Sequence, residues 1–339
     1  MKILTIETTC DETAAAVITD DLQILSSVVA SQEELHREFS GVVPELAARA
    51  HVERMLPVVG QALQRAGTTI DRLAAVAVAT EPGLAGSLVV GLTAAKAIGV
   101  AAQIPLIAIN HLHAHIYACR IASRREIFPC VGMIISGGHS HIYHCRDALD
   151  FALLGGTIDD AAGEAFDKVA SMLQLGFPGG PKLSRAAESG DPQRYRFPRS
   201  FIRDPDIKFS FSGLKTAVRY ELAGPGKVDF SQLRISRQRV ADIAASFEAA
   251  VVDCLVTKAM QAIEQTGLST LCVGGGVAAN RRFRRELQSV ATQREIDLQI
   301  APPELCTDNA VMGAIAWEHF RRGSFADLST DIRPGLIRP

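Results

Sequence analysis

The chain has 339 residues, of which 47% are apolar and 21% charged, and its formal net charge is −2. That length suits two domains with sizeable cores, and the near-neutral balance excludes a disordered chain and any global field favouring nucleic acid. The seven cysteines (Cys10, Cys119, Cys130, Cys145, Cys254, Cys272, Cys306) form no CxxC pair, which excludes a zinc ribbon and a disulfide framework and points to a reducing, cytoplasmic compartment.

The N-terminus turns polar too soon for a signal peptide. Lys2–Ile6 reads as a buried strand, the stretch Glu7-Thr-Thr-Cys-Asp-Glu-Thr13 as a polar turn, and Ala14–Thr19 and Ile24–Ala30 as two more strands. Pro44–Ala66 has helical periodicity and stops at Gly67. Ala74–Thr80 is a strand, and a loop over Glu81–Ser87 leads to a helix at Leu88–Gln103. The apolar run from Gly83 to Ile109 is broken by Thr93, Lys96, Gln103 and Pro105, so it reads as a buried helix plus the strand Leu106–Ile109, not a membrane span. Strands at Val131–Ile135, His141–Cys145 and Phe151–Leu154 open the second half. Helices follow at Ile158–Leu173 and within Leu233–Thr266, with a Pro-, Arg- and aromatic-rich insertion at 191–210 between them. Strands at Thr270–Val273 and Leu298–Ala301 flank an arginine-rich helix, and Asp308–Arg322 reads as a last helix. Each half shares one grammar, strand–turn–strand–strand and then alternating helix and strand. Two similar α/β domains with a cleft between them are expected, over 1–125 and 126–339.

Asn110 is a natural helix N-cap, and the i, i+4 spacing of His111 and His115 stacks two imidazoles on one helical face while His113 points elsewhere. That pattern suits a divalent-metal clamp; it equally suits surface histidines at a helix start. Asp308 would add an oxygen donor from the first turn of the last helix, capped by Thr307. Small-residue turns at Ser136–His139, Pro178–Pro181 and Gly274–Asn280 would let backbone N–H groups approach a phosphate. Neither GxxxxGK[ST] nor a GxGxxG after the first strand occurs, which argues against a P-loop enzyme and a Rossmann dehydrogenase. Asp159 and Asp160 suit dipole compensation at a helix start, whereas Asp167, two turns in, suits a ligand hydroxyl. Ser212-x-x-Lys215 lacks the partner motifs of a serine acylase. Arginines at 281, 282, 284 and 285, and at 194, 196, 199 and 203 beside Tyr195 and Phe197, suit a solvated face or a grip on single-stranded RNA.

Taken together, Ile6-Glu-Thr-Thr-Cys-Asp-Glu-Thr13, Gly41-Val-Val-Pro-Glu-Leu-Ala47, Gly83-Leu-Ala-Gly86, His111-x-x-x-His115, Ser136-Gly-Gly-His139, Asp159–Lys168, Phe177-Pro-Gly-Gly180, Phe209–Lys215, Gly274–Asn280 and Cys306-Thr-Asp-Asn309 resemble the tRNA N6-adenosine threonylcarbamoyltransferase (TsaD) family, formerly described as O-sialoglycoprotein endopeptidases. The resemblance runs in order over nearly the whole chain. It implies an actin-like ATPase fold of two duplicated RNase H-like domains. It implies transfer of a threonylcarbamoyl group from threonylcarbamoyl-AMP to N6 of adenosine 37 in tRNAs reading codons that begin with adenine. The implied metal ligands are His111, His115 and Asp308, holding one divalent ion, Fe2+ ahead of Zn2+ or Mg2+. Threonylcarbamoyl-AMP or ATP would be held by Ile135, Ser136, Gly137, Gly138, His139, Asp167, Gly180 and Asn280. Asp11 or Glu12, at the first strand–turn, suits steering the amine or taking its proton, and equally suits a turn residue with no chemical role. The implied partners are tRNA, a smaller paralogous actin-like subunit (TsaB-like) and an ATPase subunit (TsaE-like), with no membrane. Two departures stand out: Ser184 occupies a position where some members are acidic, and His113 one where an acidic residue is more frequent. A metalloprotease would need a general base that the HxxxH spacing does not supply; an ATP-binding regulatory scaffold of the same fold is the non-enzymatic alternative.

Overall fold

The computed structural model describes residues 1–39, 41–226 and 229–335. The chain forms two compact units. The first comprises Met1–Glu126, Asp147–Asp150 and the segment beginning at Glu304; the second comprises Ile127–Arg146 and Phe151–Pro303. The C-terminal segment, expected to continue a second domain over 126–339, therefore packs with the first unit, and residues 336–339 lie outside the described residues. The physical reason is burial: Ala310–Ile315 is apolar throughout and lies against the first and second strands and the histidine helix.

In the first unit, strands β1 (Lys2–Glu7), β2 (Glu12–Thr19), β3 (Ile24–Ser31), β4 (Ala75–Glu81) and β5 (Leu106–Asn110) lie in the order β3-β2-β1-β4-β5. Short turns join the antiparallel pairs β1/β2 and β2/β3, whereas β4 and β5 run parallel to β1. Parallel neighbours need crossovers, and the helices Pro44–Arg65 and Ala85–Ala102 supply them. The first helix buries Ala47, Ala50, Met55, Val58, Val59, Ala62 and Leu63, the stripe its periodicity implies. The second, apolar enough by composition to cross a membrane, buries Leu88, Gly91, Leu92, Ala95 and Gly99 and packs against β4 and the first.

In the second unit, strands β6 (Cys130–Ile135), β7 (Ser140–Cys145), β8 (Phe151–Thr157), β9 (Lys208–Phe209), β10 (Thr270–Gly274) and β11 (Asp297–Ile300) lie in the order β11-β10-β6-β7-β8-β9. Apart from the two-residue β9, the series β8-β7-β6-β10-β11 repeats the first sheet's order. It also repeats its sense, antiparallel twice and then parallel twice. The duplication expected from the shared grammar is thus present strand for strand.

Two helices differ from expectation. The one expected from Ile158 begins at Ala162, because Asp159 and Asp160 are engaged elsewhere. The one expected over Asp308–Arg322 is a 3-10 stretch, Ala310–Ile315, followed by a short helix, Ala316–Arg321.

Candidate functional site

Asn110 ends β5 and caps the helix His111–Ser123: its side-chain oxygen accepts from the N–H groups of Leu112 (2.9 Å) and His113 (3.2 Å). That local capping fixes His111 and His115 one turn apart, with ring centroids 4.6 Å apart and planes at 79°. Asp308 arrives from the far end of the chain. It lies in a bend just before Asn309, and Asn309, not Thr307, caps the following turn by accepting from Met312 N–H at 3.2 Å. Asp308 Oδ1 is 3.2 Å from His115 Nε2 and 3.6 Å from His111 Nε2. The three ligand atoms lie within 4.8 Å of one another. Ligands held about 2.1 Å from a common cation sit roughly 3.0–3.4 Å apart, so this spacing suits one ion with positions left open.

The surroundings also fit a cation. Glu7 ends β1 only 2% exposed, and its Oε2 is 3.0 Å from His111 Nδ1 while its Oε1 accepts from Thr9 N–H at 2.6 Å. Thr9 Oγ1 lies 3.2 Å from the same ring nitrogen. Burial pulls the His111 imidazole down, but the Glu7 and Asp308 carboxylates overcome it and hold the metal-free ring at about 9. Burial and the neighbouring Asp308, Asp11 and Glu7 carboxylates push Glu12 up to about 10, and burial together with Asp11 and Asp308 raises the Cys10 thiol. This concentration of carboxyl groups around two imidazoles is a setting whose charge a divalent ion would offset.

The turn carrying Cys10, Asp11 and Glu12 is braced by two side chains. His51 Nε2–H donates to Cys10 O (3.1 Å) and its Nδ1 accepts from Thr13 Oγ1 (2.8 Å); Ser87 Oγ also donates to Cys10 O (3.2 Å). Thr8 Oγ1 donates to Ser87 O at 3.0 Å. The sequence reading missed Glu7, His51 and Ser87; for Glu7, a carboxylate ending an otherwise apolar buried strand was the available signal. His113 is separate from the triad, and burial and the nearby His319 hold it down at about 4.

The expected nucleotide residues all belong to the second unit and form one connected network. The Ser136-Gly137 turn closes through Ser136 N–H to His139 O (2.8 Å) and His139 N–H to Ser136 Oγ (3.2 Å). Gly163 N–H donates to Ser136 O and Glu164 N–H to Gly137 O, both at 3.1 Å, so the turn sits on the N-terminus of the helix Ala162–Met172. A Cβ at Gly163 would lie 2.6 Å from Ser136 O, and one at Gly275 would lie 2.5 Å from Ile135 O. Asp167 Oδ1 accepts from Gly179 N–H (2.7 Å) and Gly180 N–H (3.3 Å), capping the helix Gly179–Ala187. Asn280 Oδ1 caps the helix Arg281–Gln293 by accepting from Phe283 N–H at 2.8 Å. Its amide donates to Ser184 Oγ (2.8 Å) and Glu248 Oε1 (2.7 Å). Gly138 continues the same turn.

Other singled-out residues have structural partners. Asp159 accepts from Ser210 Oγ, Ser212 Oγ and the N–H groups of Phe211 and Ser212. Asp160 pairs with Lys168 and Lys215. The SxxK spacing and the paired aspartates thus hold the helix Ser212–Ala223. Arg199 pairs with Asp253 (2.6 Å), Arg282 with Glu286 (3.0 Å), and Arg284 donates to Ala278 O and Ala301 O.

A family model described as tRNA N6-adenosine threonylcarbamoyltransferase (TsaD) matches residues 23–315. A protein of that name from Rhodopirellula baltica is 56% identical, the alignment covering 99% of this chain and 97% of the relative. One from Geobacter sulfurreducens is 45% identical over 98% and 96%. Among solved structures, full-length HypF in its phosphate- and nucleotide-bound form aligns with TM-score 0.62 at 13% identity, covering 96% of this chain and 47% of that one. The (R)-2-hydroxyglutaryl-CoA dehydratase component A of Acidaminococcus fermentans aligns with TM-score 0.54 at 16% identity, covering 94% and 98%. At these identities the structures speak for the fold alone, which is the actin-like one.

Proposed function

The chain belongs to the tRNA N6-adenosine threonylcarbamoyltransferase family, and from that premise we propose that it moves the threonylcarbamoyl group of threonylcarbamoyl-AMP onto N6 of adenosine 37 in tRNAs reading codons that begin with adenine. The observation that carries the site assignment is the convergence of His111 Nε2, His115 Nε2 and Asp308 Oδ1, with His111 oriented from behind by Glu7. These three residues would hold a divalent ion, with Fe2+ the first choice for an N2O donor set and Zn2+ or Mg2+ as alternatives. When bound, that ion supplies Lewis acidity toward the carbamoyl carbonyl.

Residues Ile135 to His139, Asp167, Gly180 and Asn280 hold the adenylate part of the donor. The adenosine amine attacks the carbamoyl carbon, the bond from that carbon to the phosphate oxygen breaks, and AMP leaves. No serine or cysteine of the enzyme is needed as a nucleophile. Asp11, on the turn braced by His51 and Ser87, takes the proton that the amine loses.

The chain works in the cytoplasm with a smaller paralogous actin-like subunit and an ATPase subunit. Two packed helices of the first unit support a protein partner, because they leave Val52, Leu56 and Val89 64%, 81% and 47% exposed. Mass spectrometry of tRNA nucleosides tests the function. After incubation with threonine, bicarbonate, ATP and the partner proteins, the modified adenosine should form only when this chain is present.

A further inference from the structure

Glu248 is a buried acid that the reaction above does not use. It lies within the long helix Arg237–Thr266 and is 6% exposed. Its Oε1 accepts one hydrogen bond, from the Asn280 amide at 2.7 Å. Among the described residues its other oxygen accepts none, and no Lys, Arg or His pairs with it. The side chain is nearly enclosed, yet its second oxygen is not among the fully buried unpartnered atoms, so it reaches open space with its acceptor capacity unused by the protein.

The neighbours narrow what could use it. Asn280 is fully committed as a donor, one amide hydrogen to Glu248 and the other to Ser184 Oγ. Its oxygen faces the opposite way, onto Phe283 N–H. Ser184 stands one turn after Gly180 on the helix Gly179–Ala187, and Gly276 stands four residues before Asn280. A Cβ at either glycine would meet nothing within 4 Å, so the protein does not fill the side on which either glycine lacks its side chain. A small hydroxyl, a fixed amide and a carboxylate with a spare oxygen, beside open space and without a cation, match a neutral ligand rich in O–H donors.

Resting on the adenylate reading above, we propose that Glu248 is a specificity-determining residue: its second carboxylate oxygen accepts hydrogen bonds from the ribose hydroxyls of the bound nucleotide, with Ser184 and Asn280 fixing its orientation. A site built to pair a buried acceptor with a substrate hydroxyl rejects the analogue that lacks it.

Calorimetric titration of the purified full chain with ATP and with 2′,3′-dideoxy-ATP tests this. The wild type should bind ATP at least about tenfold more tightly than the dideoxy analogue. Glu248→Gln should bring that ratio close to one, mainly by weakening ATP, and Ser184→Ala should lower it less. A Glu248→Gln chain that keeps the full ratio overturns the proposal, as does a wild-type ratio near one, which needs no variant to fold. Wild-type protein that binds neither nucleotide overturns the adenylate reading and the proposal with it; equal binding of both overturns only the proposal.

Discussion

Glu7 Oε2 lies 3.0 Å from His111 Nδ1, so the last residue of the first strand orients a ring that the chain reaches 104 residues later. The ring's other nitrogen then faces Asp308 and His115. Carboxylate partners of this kind fix the tautomer and raise the basicity of a ligating imidazole. Glu7→Gln should therefore lower divalent-metal affinity about 10–100-fold with little change in fold. Competition titration against a chromophoric chelator reads this directly, and unchanged affinity would remove Glu7 from the site.

His115→Ala and Asp308→Ala should each abolish stoichiometric metal binding and reduce tRNA modification to background. His115 is fully buried and its Nε2 lies 3.2 Å from Asp308 Oδ1, so either variant removes one arm of the triad. Elemental analysis of purified variants gives the metal content. One metal per chain in either variant would exclude that residue as a ligand.

Gly163→Ala should disrupt the Ser136–Gly137 turn. The added methyl falls 2.6 Å from Ser136 O and 2.8 Å from Gly137 Cα, and because both are backbone atoms they cannot swing aside as a side chain could. The cost should be about 1–3 kcal/mol of stability, with nucleotide binding weakened more than metal binding because the turn and the triad belong to different units. Urea unfolding and parallel titrations separate the two effects; equal losses in both affinities would count against the assignment.

Asp159 gives the chain a predictable acid response. Burial alone would raise this carboxyl, but the hydroxyls of Ser210 and Ser212 and two backbone N–H groups hold it below its ordinary range. Its contribution is fully present above the unfolded value of about 3.9 and is lost as pH falls through the lower folded value. Asp159→Asn should cost about 1–2 kcal/mol at pH 7, and the cost should shrink as pH falls below the unfolded value through the lower folded one. Denaturant midpoints over that range check it, and a pH-independent difference would contradict the assignment.

The parts legible in the sequence were those fixed by local chemistry. Asn110 announces a helix start, and four-residue spacing then puts His111 and His115 together whatever surrounds them. The repeated strand order was legible because both halves carry the same alternation of turns and crossovers. Partners far apart in the chain were not legible. Asp159 and Asp160 look like helix-start acids, yet they bind Ser210, Ser212 and Lys215 some 50 residues on, which delays the helix to Ala162. Asp308 was expected inside a helix; the capping by Asn309 leaves it in the preceding bend. Glu248 carries no local pattern, since only burial by other elements distinguishes it from a surface acid, and the sole local mark of Glu7 is its place at the end of an apolar strand.

The 193 residues separating His115 from Asp308 bear on how the protein is made. During translation both histidines, and the whole sheet they adjoin, leave the ribosome long before their carboxylate does. The entire second unit is synthesised in between. Under the metal site proposed above, a nascent or prematurely terminated chain ending anywhere short of residue 308 would present two imidazoles without the carboxylate, so that full metal loading would wait for the last part of synthesis.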